Sequence, residues 1–246
     1  MRAAHDRTVF VAGASGVVGR VLCRLLVADG WRVAGSTRSS ERASGLAAIG
    51  VEPVVVDVFD APALQRAVTA ARPRAVVHQL TDLPDRFDPA DRAAALERNA
   101  RVREAGTRHL VEACAAAGVE RVVCQSLAFA YAPGPGPHAE DDALNLGAAD
   151  PVAARTAKAV DAMERLVLGG PFEGVVLRYG RFYGPGTWFA APPADCAVHV
   201  DAAADAARRA LTQGAPGIYN IAEPGGTVAV AKALQQFGWD PAFRAA

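Results

Sequence analysis

The chain has 246 residues, 51% of them hydrophobic and 21% charged, and its 26 Lys and Arg balance its 26 Asp and Glu. This composition is typical of a globular protein and excludes an intrinsically disordered chain. The zero net charge and the lack of a basic run argue against a nucleic-acid partner. No apolar run approaches the roughly 18 residues of a membrane span, and no signal-peptide pattern is visible. The sequence predicts a cytoplasmic protein without a membrane partner.

The cysteines show no pattern of a metal site or of a disulfide framework. They are widely separated, and three of them fall in predicted helix or strand interiors; they are Cys23, Cys114, Cys124 and Cys196. Such placement is typical of reduced core thiols. We therefore predict no structural metal.

The first predicted strand, Thr8–Ala12, runs into three glycines and then into a predicted helix over Val17–Asp29. Glycines allow a tight turn and a close approach of the backbone to phosphate, and the free N–H groups of the helix N-terminus favour negative charge. The pattern predicts a site for a dinucleotide pyrophosphate. Its predicted contact residues are Gly13, Ser15, Gly16, Val17, Val18 and Gly19.

Short apolar runs then alternate with helical stretches. The further predicted strands are Arg32–Ser36, Pro53–Asp57, Ala75–His78, Arg121–Gln125 and Gly174–Leu177. The further predicted helices are Glu41–Ile49, Pro62–Arg72, Asp91–Ala117, Val152–Leu168 and Val228–Phe237. The alternation predicts one α/β domain over residues 1–246, a Rossmann-type doubly wound sheet of six or seven mostly parallel strands. Irregular loops at 132–137 and 184–193 follow strand ends, where such sheets bind ligands.

Several segments together resemble the extended short-chain dehydrogenase/reductases, the NAD(P)-dependent epimerase/dehydratase family. Besides the glycines, the resemblance is carried by Asp57 and by residues 76–81, 122–126, 177–186 and 198–201. It covers nearly the whole chain, and it implies an enzyme that acts on a small-molecule substrate with a nicotinamide cofactor. The cofactor contacts that it implies lie at strand ends and on one helix; they are Asp57, Val58, Gln79, Leu80, Thr81, Ser126, Lys158, Tyr179 and Arg181.

The residues after the second strand favour NADP over NAD. An acid about 20 residues after the glycines binds the ribose 2′-hydroxyl of NAD, whereas a basic residue suits the 2′-phosphate of NADP. Here Thr37 holds that position and is followed by Arg38 and Ser39. A guanidinium can donate paired hydrogen bonds to a phosphate, so we predict that these three residues contact NADP. The alternative is a solvated surface arginine.

The chain departs from the family at its proton donor. The resemblance implies a hydroxyl on the fifth strand and a Tyr-x-x-x-Lys motif on the next helix, where lysine lowers the pKa of the tyrosine. Ser126 and Lys158 match this pattern, but Ala154 stands in the tyrosine position. Tyr131 is the first candidate to replace the missing phenol, and Tyr183 is the second. We therefore predict Ser126, Lys158 and Tyr131 as catalytic residues.

The segment that would enclose the substrate is short. Residues 183–246 are predicted to form a small C-terminal appendage, a reduced substrate lobe, which disfavours a nucleotide sugar. The pocket is then shallow, or it is completed by a second subunit in a homodimer or by the loop that carries Trp188 and Phe189.

Three functions stay open. The leading hypothesis is an NADP(H)-dependent oxidoreductase of the epimerase/dehydratase type that acts on a small metabolite in biosynthesis. The second is a non-redox isomerase, dehydratase or cyclase on the same scaffold. The third is a catalytically inactive NADP-binding regulator, since the tyrosine is missing.

Overall fold

The computed structural model describes residues 7–84, 90–193 and 195–245, which are built around a parallel sheet. Its strands are β1 Thr8–Ala12, β2 Arg32–Thr37, β3 Glu52–Val55, β4 Ala75–His78, β5 Arg121–Leu127, β6 Glu173–Tyr179 and β9 Gly217–Ile221. Their spatial order is β3-β2-β1-β4-β5-β6-β9, and every neighbouring pair is parallel. Outside this sheet, β7 (Arg181–Tyr183) pairs in parallel with β8 (Ala197–His199).

Helices cover both faces of the sheet. They are α1 Val17–Ala28, α2 Ser40–Ala47, α3 Ala61–Ala71, α4 Arg92–Arg101, α5 Thr107–Ala116, α6 Pro151–Leu168, α7 Val200–Ala210 and α8 Ala231–Phe237. A π-helical turn, Val102–Gly106, joins α4 to α5. Helices α1 and α7 contribute to the core on one face, and α3, α5 and α6 contribute to the core on the other. Because both faces are covered, the central strands are apolar along their length.

The predicted fold class is confirmed: the sheet is a doubly wound parallel sheet of the Rossmann type. The largest differences lie at the C-terminal end, where the short strands β7 and β9 were not predicted. Both are short, with three and five residues, and carry little alternation, so periodicity gives them no signal. Strand β3 lies at an edge of the sheet, which is where a strand tolerates a residue such as Pro53.

The strand order places a crevice at the centre of the sheet. The chain passes from β1 outward to β2 and β3, and then returns to β4 on the other side of β1. Open α/β sheets bind ligands at the carboxyl ends of the strands where the order reverses in this way. Within the ranges that the structure describes, no helix is long and apolar enough to cross a membrane.

Candidate cofactor and substrate cleft

A cleft of about 800 Å³ lies at the carboxyl ends of the strands, where the order reverses between β1 and β4. The glycine turn, the end of β2 and the segment that follows β3 form one half of it. The ends of β4 and β5 and the segment that follows β6 form the other half. The volume is within the usual range for a site that holds a small molecule or cofactor.

The glycine turn is shaped for a close approach of phosphate. Gly13 has φ +86°, and a Cβ at this residue would lie 2.6 Å from the backbone oxygen of Gln79. A Cβ at Gly19 would collide with the carbonyl oxygen of Gly13. Helix α1 begins after Gly16, which supplies no side-chain cap for its N–H groups. Since these groups lie at the cleft wall, the turn and the helix N-terminus fit a dinucleotide pyrophosphate.

The end of β2 brings a basic and hydroxyl-rich group of side chains to the cleft. Arg38 Nη2 donates to Asp82 Oδ1 at 2.8 Å, and this hydrogen bond raises the pKa of Arg38. Ser39 caps α2 by accepting from the N–H of Arg42. Ser15 Oγ donates to Thr37 Oγ1 at 3.0 Å, which ties the glycine turn to the end of β2.

Asp57 does not line the cleft. Its carboxylate accepts a hydrogen bond from the N–H of Phe59 at 2.9 Å and so caps the turn after β3. Val58 and Phe59 face the cleft instead. Val58 thus lies where the prediction expects it, and Asp57 as a cofactor contact stays a prediction.

The end of β4 is held by a buried histidine. His78 Nε2 lies 2.8 Å from Thr107 Oγ1, and its Nδ1 accepts from the N–H of Leu80. Burial lowers the pKa of His78 to about 4, so the ring is neutral near pH 7. The three predicted residues that follow it, Gln79, Leu80 and Thr81, all line the cleft.

The end of β5 presents apolar and amide side chains, not a hydroxyl. Gln125 and Leu127 line the cleft. Ser126 is buried, and its Oγ donates to Glu164 Oε1 at 2.5 Å. Because successive side chains in a strand point to opposite faces, Ser126 faces α6 while its two neighbours face the cleft. The assignment of Ser126 as the substrate-polarising hydroxyl and as a cofactor contact is therefore wrong.

Tyr131 is also turned away from the cleft. Its hydroxyl donates to Asn220 Oδ1 at 2.7 Å, and its ring stacks on His138 at 5.1 Å. The guanidinium of Arg178 lies 4.8 Å from the ring centre. Burial raises the pKa of Tyr131, which opposes ionisation. Tyr131 is a packing residue in this structure, and its predicted role as proton donor has to be corrected.

The other phenols and the helix lysine do not reach the cleft either. Tyr183 donates to Glu223 Oε1, and Tyr179 donates to the backbone oxygen of Ala203 inside the core. Lys158 is exposed on α6 and is not among the cleft-lining residues. Among the described residues that line the cleft there is no tyrosine, lysine, histidine or cysteine. Lys158 and Tyr179 as cofactor contacts are therefore corrected as well.

Apolar side chains form the rim of the cleft. These side chains are exposed to solvent and all line the opening of the cleft; they are Val17, Leu83, Phe129, Trp188 and Phe189. Trp188 Nε1 donates to the backbone oxygen of Pro84 at 3.1 Å, so the loop after β7 spans the opening. The guanidinium of Arg181, a predicted cofactor contact that does line the cleft, lies 4.3 Å from the ring centre of Phe129.

Gln125, Leu127 and Arg103 are among the cleft residues that were not predicted from the sequence. Gln125 and Leu127 flank Ser126, and strict alternation along β5 could have identified them once one residue was placed. Arg103 lies in the π-helical turn and lines the cleft although it is only 6% exposed. A continuous α-helix was predicted there, and no pattern in the sequence signals the π-turn.

The parallel sheet and the glycine turn define a Rossmann-type nucleotide-binding protein. A model described as the NAD dependent epimerase/dehydratase family matches residues 9–195, and the chain belongs to this family. The resemblance predicted from the sequence is thereby confirmed.

One relative has a specific name. A Streptomyces protein named 3-diazoavenalumate denitrifying reductase is 48% identical over 183 residues, which are 74% of this chain and 58% of that protein. The chain thus spans less than two thirds of the length of this relative.

Solved structures share the fold at low identity. UDP-glucose 4-epimerase from Thermotoga maritima, with UDP-glucose, has a TM-score of 0.77 at 17% identity, covering 96% of this chain and 94% of that chain. UDP-glucose 4-epimerase from Thermus thermophilus, in complex with NAD, has a TM-score of 0.74 at 22% identity, with the same coverage.

Proposed function

We propose that the chain is an NADPH-dependent reductase that accepts a planar aryl diazonium compound and replaces its diazo group with hydrogen. When bound, NADPH supplies a hydride. One carbon–hydrogen bond forms with the electron pair of the hydride. One carbon–nitrogen bond breaks, and its electron pair leaves with dinitrogen. The reaction balances without any added proton.

The observation that carries this proposal is that the described residues lining the cleft include no tyrosine, lysine, histidine or cysteine to act as the acid. Carbonyl reduction needs a proton for the developing oxyanion, and a positioned acid contributes about a hundredfold to ten-thousandfold to the rate. Here Leu127 and Gln125 occupy the end of β5, and Ala154 replaces the tyrosine. The hydroxyls of Ser126 and Tyr131 donate hydrogen bonds to Glu164 and Asn220 instead. A diazonium ion is reduced by hydride alone, so it suits this site.

The rim and the named relative support the same substrate class. The aromatic side chains Phe129, Trp188 and Phe189 surround the opening and favour a ligand with a planar aromatic ring. The name of the Streptomyces relative describes a reductase that acts on a diazo compound and removes nitrogen. Because the loop with Trp188 already spans the opening, we propose that the substrate pocket is completed within the chain.

The preference for NADPH rests on the end of β2. Arg38 lines the cleft beside Ser39, at the N-terminus of α2. A guanidinium and a helix N-terminus both favour a phosphate. In this structure Arg38 is paired with Asp82, so we propose that the guanidinium exchanges that carboxylate for the 2′-phosphate.

Replacing Arg38 by alanine is expected to weaken NADPH binding about tenfold or more and to leave NADH binding nearly unchanged. A charge-assisted hydrogen bond contributes about 1.5–3 kcal/mol, and only NADPH carries the phosphate that receives it. Titration of both cofactors against wild type and variant measures the effect. The control is Arg66→Ala on α3, since Arg66 lies outside the cleft. Equal affinities of the wild type for the two cofactors would show that Arg38 does not bind the 2′-phosphate.

The reaction is tested with two substrates that differ only in the reacting group. The diazonium salt of 3-aminocinnamate and 3-formylcinnamate share a ring and a carboxylate. We expect the diazonium compound to oxidise NADPH at least about a hundredfold faster than the aldehyde, because only the aldehyde needs the missing acid. Absorbance of NADPH is followed below pH 7, with reactions without protein as the control. Faster turnover of the aldehyde, or no turnover of either compound, would contradict the proposal.

A further inference from the structure

Arg103 stands out among the buried polar groups. It lies in the π-helical turn, is 6% exposed, and lines the cleft. Its Nη1 is buried and has no hydrogen-bond partner within the described part of the chain. Isolated π-turns occur frequently at functional sites. Buried guanidinium groups are normally paired, so an unpaired buried nitrogen on a residue that lines a cleft indicates a missing acceptor.

The groups that surround Arg103 do not supply that acceptor. Glu104, the next residue, accepts hydrogen bonds from Arg155 on α6 at 2.6 and 2.8 Å. The neighbours whose pKa values respond to the charge of Arg103 are His78 and Cys124, and burial keeps the ring and the thiol neutral. Burial lowers the pKa of Arg103 to about 10, so it is still a cation near pH 7. The cleft therefore contains a buried positive charge for which the described residues provide no counter-ion.

The position of Arg103 indicates which kind of anion it binds. His78 ends β4 and pairs with Cys124 in the middle of β5, so Arg103 lies beside these two strands on the cleft side. The glycine turn and Arg38, which fit the phosphates of the cofactor, lie at the ends of β1 and β2. The anion at Arg103 is thus a group other than the cofactor phosphates.

We propose that Arg103 binds the carboxylate of the substrate. A guanidinium matches a carboxylate with two parallel N–H donors, which fixes the orientation of the ligand as well as its affinity. The inference rests on the proposed reductase function, which makes this half of the cleft the substrate half. Arg103 then selects acidic aryl compounds over neutral ones.

The experiment measures binding and needs no diazo chemistry. Cinnamate and methyl cinnamate are titrated by calorimetry into the complex of the protein with NADP⁺. We expect wild type to bind cinnamate more tightly than the ester. The variants Arg103→Met and Arg103→Gln are expected to lose about tenfold to a hundredfold in cinnamate affinity, with the ester and NADP⁺ unaffected. Arg66→Met is the matched surface control.

Thermal unfolding separates a binding role from a structural one. Because Arg103→Met removes an uncompensated buried charge, its unfolding temperature is expected to equal or exceed that of wild type. A large decrease in the unfolding temperature of both variants would overturn the inference, and so would an unchanged affinity for cinnamate. A parallel loss of NADP⁺ affinity would also overturn it and assign Arg103 to the cofactor. If cinnamate binding depends on Arg103 while the diazonium compound is not reduced, the inference stands and the proposed reaction fails.

Discussion

Replacing Glu164 by glutamine is expected to lower the free energy of unfolding by about 3–5 kcal/mol, because it leaves a buried charge unpaired. Glu164 accepts from Arg178 at 2.6 and 2.9 Å and from Ser126 at 2.5 Å. The side chains of Arg178 and Glu164 are 4% and 5% exposed. The variant keeps the size of the side chain, so the loss reflects charge and hydrogen bonding, not a cavity. Denaturant unfolding followed by circular dichroism measures it.

An exposed ion pair on the same helix provides the control. Asp161 pairs with Arg165, whose side chain is 75% exposed, and Asp161→Asn is expected to change stability by no more than about 0.5 kcal/mol. The double variant Glu164→Leu with Arg178→Met removes both charges and is expected to recover most of the loss. If Glu164→Gln costs no more than Asp161→Asn, the buried pair is not a stabilising element of the fold.

Replacing Gly13 by alanine is expected to weaken NADPH binding about a hundredfold. The added Cβ would lie 2.6 Å from the backbone oxygen of Gln79, so the glycine turn must move away from the end of β4. The N–H groups at the start of α1 move with it, and each charge-assisted hydrogen bond to phosphate contributes about 1.5–3 kcal/mol. Cofactor titration by fluorescence measures the loss.

A second glycine separates steric overlap from backbone strain. Gly30 has φ +80°, close to the +86° of Gly13, but a Cβ there would meet no atom within 4 Å. Gly30→Ala is therefore expected to cost about 1–2 kcal/mol of stability through its left-handed backbone and to leave cofactor binding unchanged. Equal NADPH affinities of the two variants would show that Gly13 does not shape the site.

The fold was predictable because its signals are local. The strands β1 and β4 have the predicted bounds, and the helix predicted at Val17–Asp29 ends within one residue of its prediction. Continuous apolar runs and helical periodicity are properties of neighbouring residues. The predicted helix over Asp91–Ala117 contains the π-turn instead of continuing as an α-helix.

The chemistry of the site was less predictable because it depends on side-chain direction. Arg38 and the glycines were placed correctly at the cleft from motif position alone. Ser126 was predicted to face the cleft but faces α6, because a shift of one residue along a strand reverses the face that a side chain occupies. Tyr131 follows the same strand end, but its hydroxyl reaches Asn220 on β9, a strand that the sequence did not predict.

The central claim, hydride transfer to an aryl diazonium compound, is tested most directly by isotope transfer. The protein is supplied with NADPH carrying deuterium at both C4 positions and with the diazonium salt of 3-aminocinnamate. Direct hydride transfer gives cinnamate with a single deuterium at the carbon that lost nitrogen, and one dinitrogen released for each NADPH oxidised. Cinnamate without deuterium, or dinitrogen release no faster than without the protein, would contradict it.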